Sequence, residues 1–145
     1  MGTSPKISLS HVGVCVSDMQ RSIRFYTETL GFALAKSIEA GAPFDVLAEL
    51  PQMKLRASFL TRDGNTIELI CYDHPSPLGP AERRPMNQLG LTHIAVIVDN
   101  LDAAVELIVK RGGRVYPKTR VETAAGKMVF CSDPDGTRIE VWQKP

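Results

Sequence analysis

The chain is written twice. Leu9 to Leu34, LSHVGVCVSDMQRSIRFYTETLGFAL, and Leu91 to Tyr116, LTHIAVIVDNLDAAVELIVKRGGRVY, share one pattern: leucine, a polar residue and histidine opening an apolar run, then an acid-containing cap, a helical stretch and glycine. Later in each copy, Arg62 to Tyr72, RDGNTIELICY, matches Pro134 to Lys144, PDGTRIEVWQK, in the same order. A repeat constrains the fold more than any single motif does, because a copy that cannot bury its own apolar face must bury it against the other.

Each copy carries the same local signals. Ser17 or Asp18 can cap a helix whose apolar positions Met19, Ile23, Tyr26 and Leu30 recur at helical spacing, and Gly31 can close it. Asp99 or Asn100 caps the second helix, where Leu101, Val105 and Ile108 repeat the face before Gly112 and Gly113. Strands are predicted at Phe32 to Ile38, Phe44 to Leu50, Leu55 to Thr61 and Thr66 to Tyr72, then near Arg114 to Tyr116, Lys127 to Ser132 and Thr137 to Gln143. The expectation is α+β: two tandem βαβββ modules, residues 7–72 and 91–145, joined by a proline-rich connector, 73–90, in one domain spanning 1–145. At 145 residues the chain can bury a real core, whereas a half of about 70 residues is marginal alone, so the two modules are expected to pair their sheets into one curved structure.

Strand parity then selects four residues. In the first strand Val12, Val14 and Val16 share the face that suits the helix, and His11, Gly13 and Cys15 face the other way. In the second copy Ile94, Val96 and Val98 oppose His93 and Ala95. Glu68 lies between Ile67 and Leu69, and Glu140 between Ile139 and Val141, so each acid projects from the face opposite its apolar neighbours. An interior carboxylate is costly unless paired, hydrogen-bonded or metal-bound. Taken singly, a strand histidine is ordinarily hydrogen-bonded filler and a glutamate after an Asp-Gly turn is ordinarily solvated; it is the matched placement of all four that points to a site. Two imidazoles and two carboxylates at matching points of two modules form a nitrogen and oxygen donor set suited to zinc, nickel, iron, manganese or cobalt.

Composition excludes several classes. With 17 basic and 16 acidic residues and no like-charge run beyond the adjoining Arg83 and Arg84, neither nucleic acid nor an anionic membrane is indicated as a partner. No stretch of 18 apolar residues occurs, the start MGTSPKISLS lacks the features of a secretory signal, and Lys6 argues against myristoylation at Gly2. The three cysteines, Cys15, Cys71 and Cys131, each sit in an apolar run and are expected to be reduced, buried and cytoplasmic.

The stretches HVGVCVSDMQRSIRFYTETLGF, GLTHIAVIVDNLDAAVELIVKRGG and DPDGTRIEVWQ resemble the opening strand and helix, the start of the second module and the closing hairpin of the vicinal oxygen chelate superfamily. That superfamily includes glyoxalase I, methylmalonyl-CoA epimerase, extradiol dioxygenases and the fosfomycin and bleomycin resistance proteins. The resemblance implies an open, cupped mixed sheet around one divalent metal ion, with His11, Glu68, His93 and Glu140 as ligands. The full ligand set is most similar to glyoxalase I, while Cys15 and Tyr72 stand where bacterial glyoxalase I has an Arg and an Asn that hold glutathione.

The implied activity is that of a glyoxalase-like lyase or isomerase, moving a proton next to a carbonyl through a metal-stabilised enediolate or enolate, with Glu140 or Glu68 as both ligand and base. Its partner is a small-molecule substrate with vicinal oxygens, and a homodimer is expected. The alternatives are an epimerase-like racemase, an Fe(II) extradiol dioxygenase and a non-catalytic drug-binding protein. Glu49 is the nearest match to the epimerase's second base but reads as a solvated strand-end charge. Tyr72, His74 and Phe130 are candidates for the pocket wall, although His74 is expected rather at the surface in the connector, and Phe130 in the core.

Overall fold

The computed structural model describes residues 4–145; the acylation position considered above, Gly2, lies outside them. Module one runs β1 (Val12–Cys15), α1 (Met19–Glu28), β2 (Ala33–Ala40), α2 (Phe44–Ala48), β3 (Lys54–Arg62) and β4 (Asn65–His74). Module two runs β5 (Ile94–Val98), α3 (Leu101–Lys110), β6 (Arg114–Val115), a 3-10 turn at Pro117–Thr119, β7 (Val121–Thr123), β8 (Gly126–Ser132) and β9 (Arg138–Gln143). The architecture is α+β with two mixed sheets, ordered β1-β4-β3-β2 and β5-β9-β8-β6, with β7 against β8. In each, the edge strand that follows a histidine runs parallel to the strand that carries a glutamate.

The caps resolve to Asp18, whose side chain accepts from the Arg21 N–H at 2.9 Å, and Asn100, which accepts from Ala103 at 3.0 Å. Met19, Tyr26 and Leu30 of the predicted α1 face are buried, and so is Phe25, which fills the next position around the helix. One core cluster runs through both modules, taking in Leu60 and Leu69 under α1, and Ile108 of α3 with Ile139 and Val141 of β9 beneath it. Gly126 cannot be replaced without movement: its φ is +118°, and a Cβ there lies 2.2 Å from the Gln143 carbonyl oxygen.

Four expectations need correction. Phe44 to Leu50 is helical over Phe44–Ala48 rather than a strand: Pro43 precedes it, Asp45 sits in its first turn, Glu49 closes it at φ +56°, and Val46 is its only β-branched residue. Its apolar side chains Phe44, Val46 and Leu47 lie exposed, so no core demand forces extension. Cys15 is exposed, because it shares the open side of an edge strand with His11; only Cys71 and Cys131 are buried. Phe130 is half-buried on the open face, not in the core, and His74 ends β4, paired with Lys54, rather than lying in the connector. Module one keeps the expected βαβββ order, β1-α1-β2-β3-β4, with the short α2 inserted between β2 and β3 where a further strand is predicted.

Candidate metal centre

Register places the acids. Gly13 pairs with Glu68 across β1 and β4, and Ala95 with Glu140 across β5 and β9, so a small residue stands beside each carboxylate. The histidine two positions earlier on the same face fills that space: Nε2 of His11 lies 3.0 Å from Oε2 of Glu68, and Nε2 of His93 lies 3.1 Å from Oε2 of Glu140. Each imidazole also meets a phenylalanine edge-on, His11 against Phe59 at 5.4 Å and 88°, His93 against Phe130 at 5.5 Å and 73°. The hydroxyl of the preceding residue holds each Nδ1 at 2.9 Å, Ser10 in one module and Thr92 in the other. Sequence equivalence has thus become a duplicated constellation of hydroxyl, imidazole, ring and carboxylate.

The donors suit a divalent ion. Two ligands each about 2.1 Å from an ion and at right angles around it stand about 3.0 Å apart, the separation found in both pairs. A Ser or Thr hydroxyl can accept from Nδ1–H as readily as donate to it, so either ring can keep its proton on Nδ1 and offer Nε2 as a lone pair. The four side chains are 17–35% exposed, reachable from solvent yet backed by protein.

The structure brings His11 to Glu68 and His93 to Glu140. It does not gather both pairs: among the described residues no three His, Cys, Asp or Glu side chains form a group able to hold one ion. Both histidines border one open cavity of about 1100 Å³ between the edge strands β1 and β5.

What fixes the modules in this arrangement is the turn between β8 and β9. The Tyr26 hydroxyl of α1 donates to Asp133 Oδ2 at 3.0 Å, and both groups are fully buried. Asp133 Oδ1 accepts from the Asp135 and Thr137 N–H groups at 3.0 and 2.7 Å. Asp135 in turn accepts from the Ser17 N–H and hydroxyl at 2.9 and 2.6 Å and from Arg21 at 2.6 Å. Burial pushes the Asp133 carboxyl above its ordinary range; burial also acts upward on Asp135, but the Ser17 and Arg21 hydrogen bonds outweigh it and hold that carboxyl below. Burial likewise pushes the Cys131 thiol up to about 11, which leaves it an inert core group.

Glu49 caps α2 and is exposed, outside the constellation, whereas Tyr72 shares the open face of β4 with Glu68. Sequence reading missed Phe59, Ser10 and Thr92 as members of the site, and raised Phe130 for the pocket wall but preferred the core for it. The hydroxyls were visible as LSH and LTH; the rings were obscured because the second hairpin turn is one residue longer than the first. It also missed Arg138, which shares the open face with Glu140 and lies only 7% exposed with its guanidinium over the Phe130 ring.

Residues 8–141 match the model of the glyoxalase/bleomycin resistance protein/dioxygenase superfamily. The lactoylglutathione lyase of Salmonella typhimurium is 32% identical over 134 residues, covering 92% of this chain and 90% of its own. A probable chloroplastic lactoylglutathione lyase of Arabidopsis thaliana is 28% identical over 144 residues; the match covers 96% of this chain but 36% of the longer plant protein. Among solved structures, a glyoxalase family protein from Bacillus cereus superposes with a TM-score of 0.85 over 99% of this chain and 98% of its own, at 18% identity.

Proposed function

The chain belongs to the glyoxalase/bleomycin resistance protein/dioxygenase superfamily, and from that membership we propose a metal-dependent, glyoxalase I-like lyase or isomerase that transfers a proton next to a carbonyl. The observation that carries this reading is the duplicated imidazole–carboxylate pair at 3.0 and 3.1 Å, set at equivalent points of two modules. His11, Glu68, His93 and Glu140 would hold one divalent ion, zinc, nickel, cobalt, manganese or iron. Bound there, the ion supplies Lewis-acid polarisation of neighbouring substrate oxygens.

The chain's own residues do the rest. Phe59 and Phe130 meet the imidazoles edge-on and fix their planes. Ser10 and Thr92 hold the ring orientation through Nδ1. Glu140, or Glu68 by pseudo-symmetry, accepts the α proton at a carboxylate oxygen and returns it to the product.

A homodimer completes the site in this reading, His11 and Glu68 of one copy meeting His93 and Glu140 of a second. Two observations support it. The pairs do not join within one chain among the described residues, and closing one module onto the other would break the shared core and the buried Tyr26–Asp133 hydrogen bond. Among the described residues no helix is long and apolar enough to cross a membrane, and a cytoplasmic location fits a buried, unpaired Cys71 and Cys131.

The test is solvent-deuterium exchange into hemithioacetals and thioesters, using protein purified without chelators. Exchange at the carbon next to the carbonyl that disappears on metal removal and returns on reloading is expected. Exchange indifferent to metal, or oxygen uptake on catechols in its place, overturns the reading.

A further inference from the structure

The His–Glu pairs are duplicated, but what stands beside them is not. At the place where β9 carries Arg138, β4 carries Thr66. Arg138 is buried in the wall of module two, and its guanidinium stacks at 5.1 Å on Phe130, the ring whose other contact is His93. Among the described residues its hydrogen bond goes to a neutral group, the Arg84 carbonyl, and no carboxylate pairs with it. Arg83, arriving from the connector, lies at 3.6 Å over the Tyr116 ring and donates no hydrogen bond among the described residues. The Tyr116 hydroxyl is 3.1 Å from Ser132 Oγ, and Ser132 is the cross-strand partner of Arg138. The connector is seated here by further contacts, with Arg114 donating to the Ala81 carbonyl at 2.9 Å.

Two guanidiniums thus converge on one polar corner without an anion. A cation removed from water and left unmatched is unfavourable, and two repel each other. Their planar N–H forks suit the oxygens of a carboxylate or phosphate, and the Tyr116 hydroxyl, positioned by the buried Ser132, adds a neutral donor. We propose that Arg83 and Arg138, with Tyr116 and Ser132, form an oxyanion subsite in module two that takes the carboxylate or phosphate end of the substrate. As an assignment to substrate it rests on the proton-transfer reading above; as an anion site it stands independently. Since module one has no counterpart, the subsite makes a pseudo-symmetric centre directional: the anionic end lies toward Arg138 and the reacting carbonyl toward His93 and Glu140.

Calorimetric titration of chelator-treated protein with inorganic phosphate and, separately, succinate tests this without metal or turnover. Binding of either ion, weakening as ionic strength rises and reduced about tenfold to a hundredfold by Arg83→Gln, is expected. Phosphate binding alone marks a phosphorylated substrate and succinate binding alone a carboxylate. Among the described residues Arg83 makes no structural hydrogen bond, so its variant remains folded and interpretable even where Arg138→Gln disturbs the connector. Failure of both ions to bind, or equal affinity in a folded Arg83→Gln protein, overturns the subsite. Metal content is read on the same preparation before chelator treatment: anion binding with no metal in the untreated protein sinks the catalytic reading alone, and metal without anion binding sinks the subsite alone.

Discussion

Among the described residues Glu140 pairs with the His93 imidazole alone, at 3.1 Å. Substituting Gln preserves its shape, so Glu140→Gln is expected to fold with an unchanged melting temperature and to lose about 10²–10⁴ in exchange rate, measured against Glu68→Gln on the same substrates. Equal rates in wild type and Glu140→Gln would assign the base to Glu68 or elsewhere. At this scale the sequence was most legible where parity ruled: alternation alone put His11, Glu68, His93 and Glu140 on open faces, because a strand has only two faces to choose from. It was least legible where position depends on what lies across the sheet. Phe130 looked like core because it is aromatic and flanked by apolar residues, yet its register partner is Glu140.

Among the elements, the β8–β9 turn does the most to fix the arrangement, since Asp133 and Asp135 tie it to α1. Tyr26→Phe removes the donor to a buried carboxylate and is expected to lower unfolding free energy by about 1–3 kcal/mol in urea titrations. Asp135→Asn gives a pH-dependent signature. Because its folded-state value is depressed, the ionised carboxylate contributes stability that is present above its unfolded value, near 4, and is lost as pH falls through the folded value. The gap between wild type and Asp135→Asn, about 1–2 kcal/mol at pH 7, should therefore close toward pH 3; a gap constant with pH would mean the carboxylate's charge plays no part. Element types were read correctly where period and caps agreed, as in α1 and α3. They failed at Phe44–Ala48, where an apolar run with no core above it followed its backbone signals instead.

For the whole molecule, the repeat foretold two modules but not how they meet, because that depends on a buried tyrosine and a turn distant in the chain rather than on either copy's own pattern. In the proposed reading a second copy completes the half-sites, which the shared core keeps apart within one chain. Mixing Glu68→Gln with Glu140→Gln after joint unfolding and refolding tests it. A site built across copies regenerates one intact centre per mixed dimer, about a quarter of wild-type activity on random pairing, whereas a site built within each chain recovers none. The claim beneath all of this is that the two pairs hold a metal ion, and elemental analysis of protein purified without chelators measures it most directly. One divalent ion per chain in wild type, lost in both His11→Ala and His93→Ala, is the predicted result; no bound metal, or metal that survives either substitution undiminished, would contradict it.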